Sequence, residues 1–125
     1  MKILTAPEHL AGQSPASILL ANDVDPRTLN LSGVTRIDLQ FPKFTDGRAY
    51  SQAFLLRRRL GFAGELRATG DVLIDQLVQM QRTGFDVAVL REGVDASAAQ
   101  RQFARFAGFY QGSAAATQPP FALNT

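Results

Sequence analysis

Charge and glycine coincide at three points where apolar runs of this chain end. Lys43 leads into Thr45, Asp46, Gly47 and Arg48; Arg67 precedes Thr69, Gly70 and Asp71; and Arg91 is followed by Glu92 and Gly93. Each stretch closes a strand-like run and opens a helix-like one. In parallel α/β sheets ligands bind outside the carboxyl ends of the strands. Helix N-termini there present unpaired N–H groups and partial positive charge, which favour anions. With Lys43, Arg48 and Arg67 close by, a site for a small oxyanion or phosphate is one reading. A structural one stands beside it. Asp46 and Asp71 suit the N-cap position, worth about 1 kcal/mol each, and a capping carboxylate occupies the N–H groups an anion would need. Gly47 and Gly70 then serve as turn glycines, and Arg48 and Arg67 as partners of the carboxylates. A protein-docking surface is the third. Gly70 followed by Asp71 lacks the several spaced glycines of a phosphate-binding fingerprint. Asp71 and Asp75 stand four residues apart, a spacing that on a helix can hold a divalent cation or share a proton, although such pairs more commonly stay solvated or bridge to arginine. Ser51 has no histidine or lysine base to activate it.

Composition removes several chemistries. The chain has no cysteine, one histidine and no tryptophan. Thiolate nucleophiles, disulfides, thiolate-bound zinc and iron–sulfur clusters are therefore out. His9, in a segment expected to be irregular, cannot by itself build a triad or a multi-histidine metal site. No resident cofactor is expected, and redox chemistry would need a partner that holds one. All but Lys2 and Lys43 of the 13 basic residues are arginine, yet the net charge is only +2. The cluster Arg57-Arg58-Arg59 would splay about 100° per residue on a helix. It reads as a solvated helix surface, not a nucleic-acid-binding face. No apolar run approaches the ~20 residues of a membrane span, and no signal peptide is read at the N-terminus. The expectation is a cytoplasmic protein binding neither membrane nor nucleic acid.

The elements that must position these residues follow from periodicity. Strands are expected at 17–21, 36–41, 65–69 and 86–90. The first and last are continuously apolar, as in strands covered on both faces; the second alternates, with Ile37, Leu39 and Phe41 on one side. Helices are expected at 48–60, 72–82 and 97–110. The first carries a stripe of Ala49, Ala53, Leu56 and Leu60 beside Tyr50 and Phe54, and Asp71 and Asp95 are the expected caps of the other two. In the last, Ala99, Phe103, Phe106, Ala107 and Tyr110 share the apolar side. Asp25-Pro26 starts a shorter helical turn. The alternation predicts an α/β fold with about four parallel strands, either an open sandwich or half of a (βα)8-like barrel. The domain runs over 16–111, with an irregular segment 1–15 before it and an extended tail 112–125 after it. Open sheet edges and the tail point to a homodimer.

Certain motifs reach further. They are Phe41-Pro42-Lys43-Phe44-Thr45-Asp46-Gly47-Arg48-Ala49-Tyr50-Ser51, Leu55-Leu56-Arg57, the run from Gly64-Glu65-Leu66-Arg67 through Gly70-Asp71-Val72-Leu73, Asp75-Gln76-Leu77 and Arg82-Thr83-Gly84-Phe85-Asp86. Over 16–111 this pattern resembles a bacterial family of uncharacterised proteins encoded beside the genes of assimilatory sulfite reduction. Some members carry an oxidoreductase label from that context alone. The resemblance implies an accessory role, with sulfite reductase or a neighbouring sulfur-assimilation enzyme as partner. It brings no catalytic residue. Many members have cysteine where Thr83 stands, so no thiol chemistry operates there, and many have a longer N-terminal region.

Overall fold

The computed structural model describes residues 1–107 apart from residues 13 and 44. Five strands form one wholly parallel sheet: β1 (Lys2–Leu4), β2 (Ser17–Leu20), β3 (Arg36–Phe41), β4 (Glu65–Gly70) and β5 (Val87–Val89), in the spatial order β1-β5-β4-β3-β2. Four helices accompany them: α1 (Ala6–Ala11), α2 (Arg48–Phe54), α3 (Leu77–Thr83) and α4 (Ala96–Ala107). The 3-10 turns Pro26–Thr28 and Ile74–Gln76 and a π-helical turn, Leu55–Arg59, complete the set.

The two faces of the sheet differ in chemistry. Ile37, Leu39 and Phe41 of β3, Leu66 and Ala68 of β4, and Ala88 and Leu90 at β5 point to one side. They pack there with Ala49, Ala53 and Leu56, with Leu77 and Met80, and with Ala99 and Phe103 of α4. Each fully buried leucine of this layer contributes about 1.5–3 kcal/mol. Strand alternation puts Arg36 and Asp38, Glu65 and Arg67, and Val87 and Val89 on the other side, and α1 lies over it. With helices on both faces the fold is an open sandwich: α1 runs where the interior of a barrel would be.

Several expectations need correction. Residues 1–15 were expected to be irregular, yet Lys2–Leu4 adds a fifth strand beside β5 and α1 follows it. Thr5 caps α1: its Oγ1 accepts from Glu8 N–H at 3.3 Å while Glu8 Oε1 accepts from Thr5 N–H at 2.8 Å. The helix expected over 48–60 is α-helical only to Phe54. Leu60 N–H then reaches back five residues to Leu55 O at 2.9 Å, and Phe62 N–H reaches Leu56 O at 2.8 Å. The wider turn rotates the stripe, so Leu56 is followed inward by Phe62, while Leu60 is left exposed. Asp71 does not cap the next helix; the chain stays extended to Leu73, whose N–H donates to Gln76 Oε1 at 3.4 Å. Asp95 does cap α4, accepting from Ser97 N–H at 2.9 Å. Continuous apolarity suits β5, which is central, but β2 is an edge strand and its Leu19 is 61% exposed. Phe106, Ala107 and Tyr110 as core contributors and the tail 112–125 lie outside what is described.

Candidate functional site

At the carboxyl end of the sheet the loops are stitched together in pairs. After β2, Asn22 Nδ2 donates to Asp46 Oδ2 in the loop after β3 at 2.7 Å. After β5, Arg91 Nη1 donates to Asp71 Oδ1 in the loop after β4 at 2.9 Å. Between these ties, Asp71 N–H donates to Phe41 O at 2.8 Å, which joins the β4 loop to the end of β3. Gly70 permits that approach. Its φ is +94°, and a Cβ there would stand 2.5 Å from Phe41 O. Glycine is required for both the left-handed backbone and the space.

Asp46 works as an organiser of its own loop. Its Oδ1 accepts from Arg48 N–H at 3.0 Å, and its carboxylate takes Arg48 Nε and Nη2, the latter at 2.8 Å. Gly47, not Asp46, occupies the cap position of α2. The hydrogen bonds from Arg48 hold the Asp46 carboxyl well below the usual carboxylate range, with Asn22 adding to the effect. Lys43 is exposed in the same loop, and its carbonyl accepts from Asp46 N–H at 3.0 Å.

Beside the Arg91–Asp71 tie lies a shallow hollow of about 400 Å³, lined by Leu73, Ile74, Asp75, Arg91, Val94 and Gln102. Asp71 and Asp75 do not share a helix face, because Asp71 precedes the 3-10 turn that carries Asp75. Among the described residues no group of three or more His, Cys, Asp or Glu side chains is arranged to hold a metal ion. Phe41, Tyr50 and Phe85 form an aromatic trio, with Phe41 and Tyr50 edge to face at 5.0 Å. The Tyr50 hydroxyl is buried with no hydrogen-bond partner among the described residues. Desolvation, reinforced by the Asp75 carboxylate, pushes its pKa up to about 12.

The structure thus brings Asp46, Gly47, Arg48, Lys43, Gly70, Asp71 and Asp75 to one end of the sheet and leaves Arg67 out. Arg67 Nε donates to Glu65, its neighbour on the same strand face, and Nη1 meets His9 Nδ1 at 2.9 Å. Alternation along β4 turns the side chain under α1, where it joins Arg36 and Asp38 in a buried charged layer.

Two residues with structural roles escaped the sequence reading. His9 is not in a loose segment; its side chain is 13% exposed and sits 3.6 Å from Asp38 Oδ2. The spacing Thr5-x-x-Glu8, a capping-box pattern, was the available signal for the helix that carries it. Arg57 is the other. The three consecutive arginines separate: Arg58 stacks over Phe54 at 5.9 Å, whereas Arg57 turns inward. Its Nε donates to Gly84 O at 3.0 Å, its Nη1 to Phe62 O at 2.8 Å and Gly64 O at 2.7 Å, and its Nη2 to Asp86 Oδ2 at 2.6 Å.

Fold and site define a small α/β domain with a single parallel sheet and a cross-tied loop rim. The chain belongs to the bacterial family of proteins of unknown function DUF934, whose model matches residues 17–121. No curated protein and no solved structure matches it.

Proposed function

We propose that this protein is a small accessory protein of assimilatory sulfite reduction that docks on sulfite reductase or a neighbouring reductase through the carboxyl end of its sheet. The pathway rests on the resemblance carried by the motifs between Phe41 and Asp86. The docking role rests on one observation: the arginines at this end already hold carboxylates, Arg48 with Asp46 and Arg91 with Asp71, while Leu73, Ile74 and Val94 line the hollow beside them. A rim of neutralised charge around apolar side chains suits a protein surface, where a buried apolar centre supplies most of the affinity and a polar rim the register. It suits a free anion less, since an incoming anion would have to displace a carboxylate from each guanidinium.

The test is direct binding. The full-length chain is mixed with purified sulfite reductase haemoprotein and, separately, with a sulfonucleotide reductase, and complex formation is followed by size exclusion and biolayer interferometry. One of the two is expected to bind. Ile74→Glu is expected to weaken that binding at least about tenfold, or about 1.4 kcal/mol, without changing the thermal melt. Failure to bind either enzyme would sink the proposal.

A second reading has its own support, because Arg91 and Gln102 both line the hollow and Lys43 is exposed at the same end. In that reading the hollow takes a small oxyanion or a phosphorylated metabolite, as a ligand or a substrate. Calorimetric titration with sulfite, sulfate and phosphate separates the two. Saturable binding lost in Arg91→Ala would favour the second, and flat titrations would remove it.

A further inference from the structure

We propose that α1 is a latch over the second face of the sheet, held shut by His9 and lifted on acidification. The helix is lightly packed on the sheet. None of its residues is buried, and Leu10 is 68% exposed. Six residues are too few for a helix to persist in water without tertiary support. His9 is the side chain α1 sends inward.

The ring stands between opposite demands. Arg67 Nη1 can only donate, so His9 Nδ1, 2.9 Å away, must accept and carries no proton. The remaining proton of the neutral ring is therefore on Nε2, which faces Asp38 Oδ2 at 3.6 Å. The pocket is thus built for neutral imidazole. A proton added to Nδ1 would turn an acceptor into a donor facing a guanidinium and would break the contact.

The charged groups around the ring come from two strands. β3 supplies Arg36 and Asp38, bound to each other by Nε to Oδ1 at 2.9 Å; β4 supplies Arg67 and Glu65, also paired. The two cations and two anions balance, so a third positive charge, on the ring, finds no uncommitted carboxylate in these pairs. On α1 itself Glu8 is turned to the cap at Thr5, whose hydrogen bonds keep its carboxyl below the ordinary range, with Lys2 adding slightly. The cap therefore stays formed while the latch titrates. Arg36 Nη1 donates to Gly12 O at 2.9 Å, a tie at the end of the helix that does not itself titrate near neutrality.

The direction follows from linkage. Burial lowers the pKa of His9 in the closed form below 6.5, Asp38 opposing the shift and Arg67 and Arg36 adding to it. Once lifted into water, the ring regains its ordinary value of about 6.5. The closed form is therefore fully favoured above that pH and loses ground as the pH falls below it. If the closed ring stays neutral, the open population rises about tenfold by pH 5.5. Opening uncovers Arg36, Asp38, Glu65 and Arg67. β1 stays in the sheet through its pairing with β5 and the bond from Leu90 N–H to Leu4 O at 2.9 Å.

Amide hydrogen exchange on the full-length, isotope-labelled chain tests this. Protection of the amides of residues 8–11, corrected for intrinsic exchange, should fall about tenfold between pH 7.5 and 5.5, while the amides of Val87–Val89 hold. His9→Gln keeps an acceptor for Arg67 and a donor for Asp38 but cannot titrate, so its protection should stay flat. His9→Ala should be open at both pH values. Equal protection of wild-type α1 at both pH values, the same fall in His9→Gln, or wild-type protection in His9→Ala at pH 7.5 would each overturn the proposal.

Discussion

Arg57→Ala removes the clamp at the amino end of β4 and β5, and the expected cost can be worked from its contacts. Three of its hydrogen bonds run to the carbonyls of Gly84, Phe62 and Gly64 and are part-buried. At about 1 kcal/mol net apiece they total about 3 kcal/mol. The fourth, to Asp86, is solvent-exposed and adds at most about 1 kcal/mol. The guanidinium also lies 5.9 Å over the Phe62 ring, and its aliphatic stem packs on Gly84. The sum is a loss of about 3–4 kcal/mol, or roughly 12–16 °C in melting temperature at about 4 °C per kcal/mol. Urea unfolding followed by circular dichroism measures it, with an unchanged m-value showing that the variant unfolds from the same compact state. Arg57→Lys, with one ammonium group for four acceptors, should recover no more than about half. A loss below about 1 kcal/mol for the alanine variant would refute the assignment and return Arg57 to the solvated surface with Arg58 and Arg59.

Gly70→Ala should cost more than about 2 kcal/mol in the same assay, because both the positive φ and the contact with Phe41 O oppose a side chain. Asp38→Ala should cost about 3–5 kcal/mol by taking the carboxylate from buried Arg36, whereas Arg36→Met combined with Asp38→Leu should cost clearly less; equal losses would mean that the ion pair is not what the site depends on. Light scattering at high micromolar concentration should give a dimer, reduced to monomer by Leu19→Lys, since β2 is an apolar edge strand with neither charge nor proline to protect it. A wild-type monomer would count against this. Protein purified under native conditions should be colourless, and flavin released on denaturation in stoichiometric amount would promote an enzymatic reading.

The body of the fold was legible where apolar periodicity and glycine agreed. Ile37, Leu39 and Phe41 announce β3 by alternation, and Gly84 closes α3 with a φ of +117°. Asp46, Asp71 and their glycines were placed at the strand ends by topology alone. What escaped did so for physical reasons. β1 is three residues long and its identity depends on a partner, Val87–Val89, that is distant in sequence. Arg67 looked like a rim residue because it is close to Gly70 in sequence, but one step of strand parity decides which face it serves. The π-helical turn leaves no mark in a stripe of apolar spacings until a misplaced Leu60 exposes it. The role of Arg57 could not be read from three consecutive arginines, because it depends on carbonyls from two separate loops.

The pairing of β1 with β5 also orders events during synthesis. Of the five strands, the first to be made has its place beside the last, since Lys2 aligns with Val87. Until Val87–Val89 emerges, β2, β3 and β4 can assemble in sequence, each beside its predecessor, while the amino-terminal strand waits. When β5 docks, its outer edge is a bare Val-Ala-Val template, a hazard for pairing with another nascent chain. Because β1 is already made and tethered to the same molecule, that edge is covered from within. The long-range closure that slows folding thus ensures that the most apolar strand meets its own chain first.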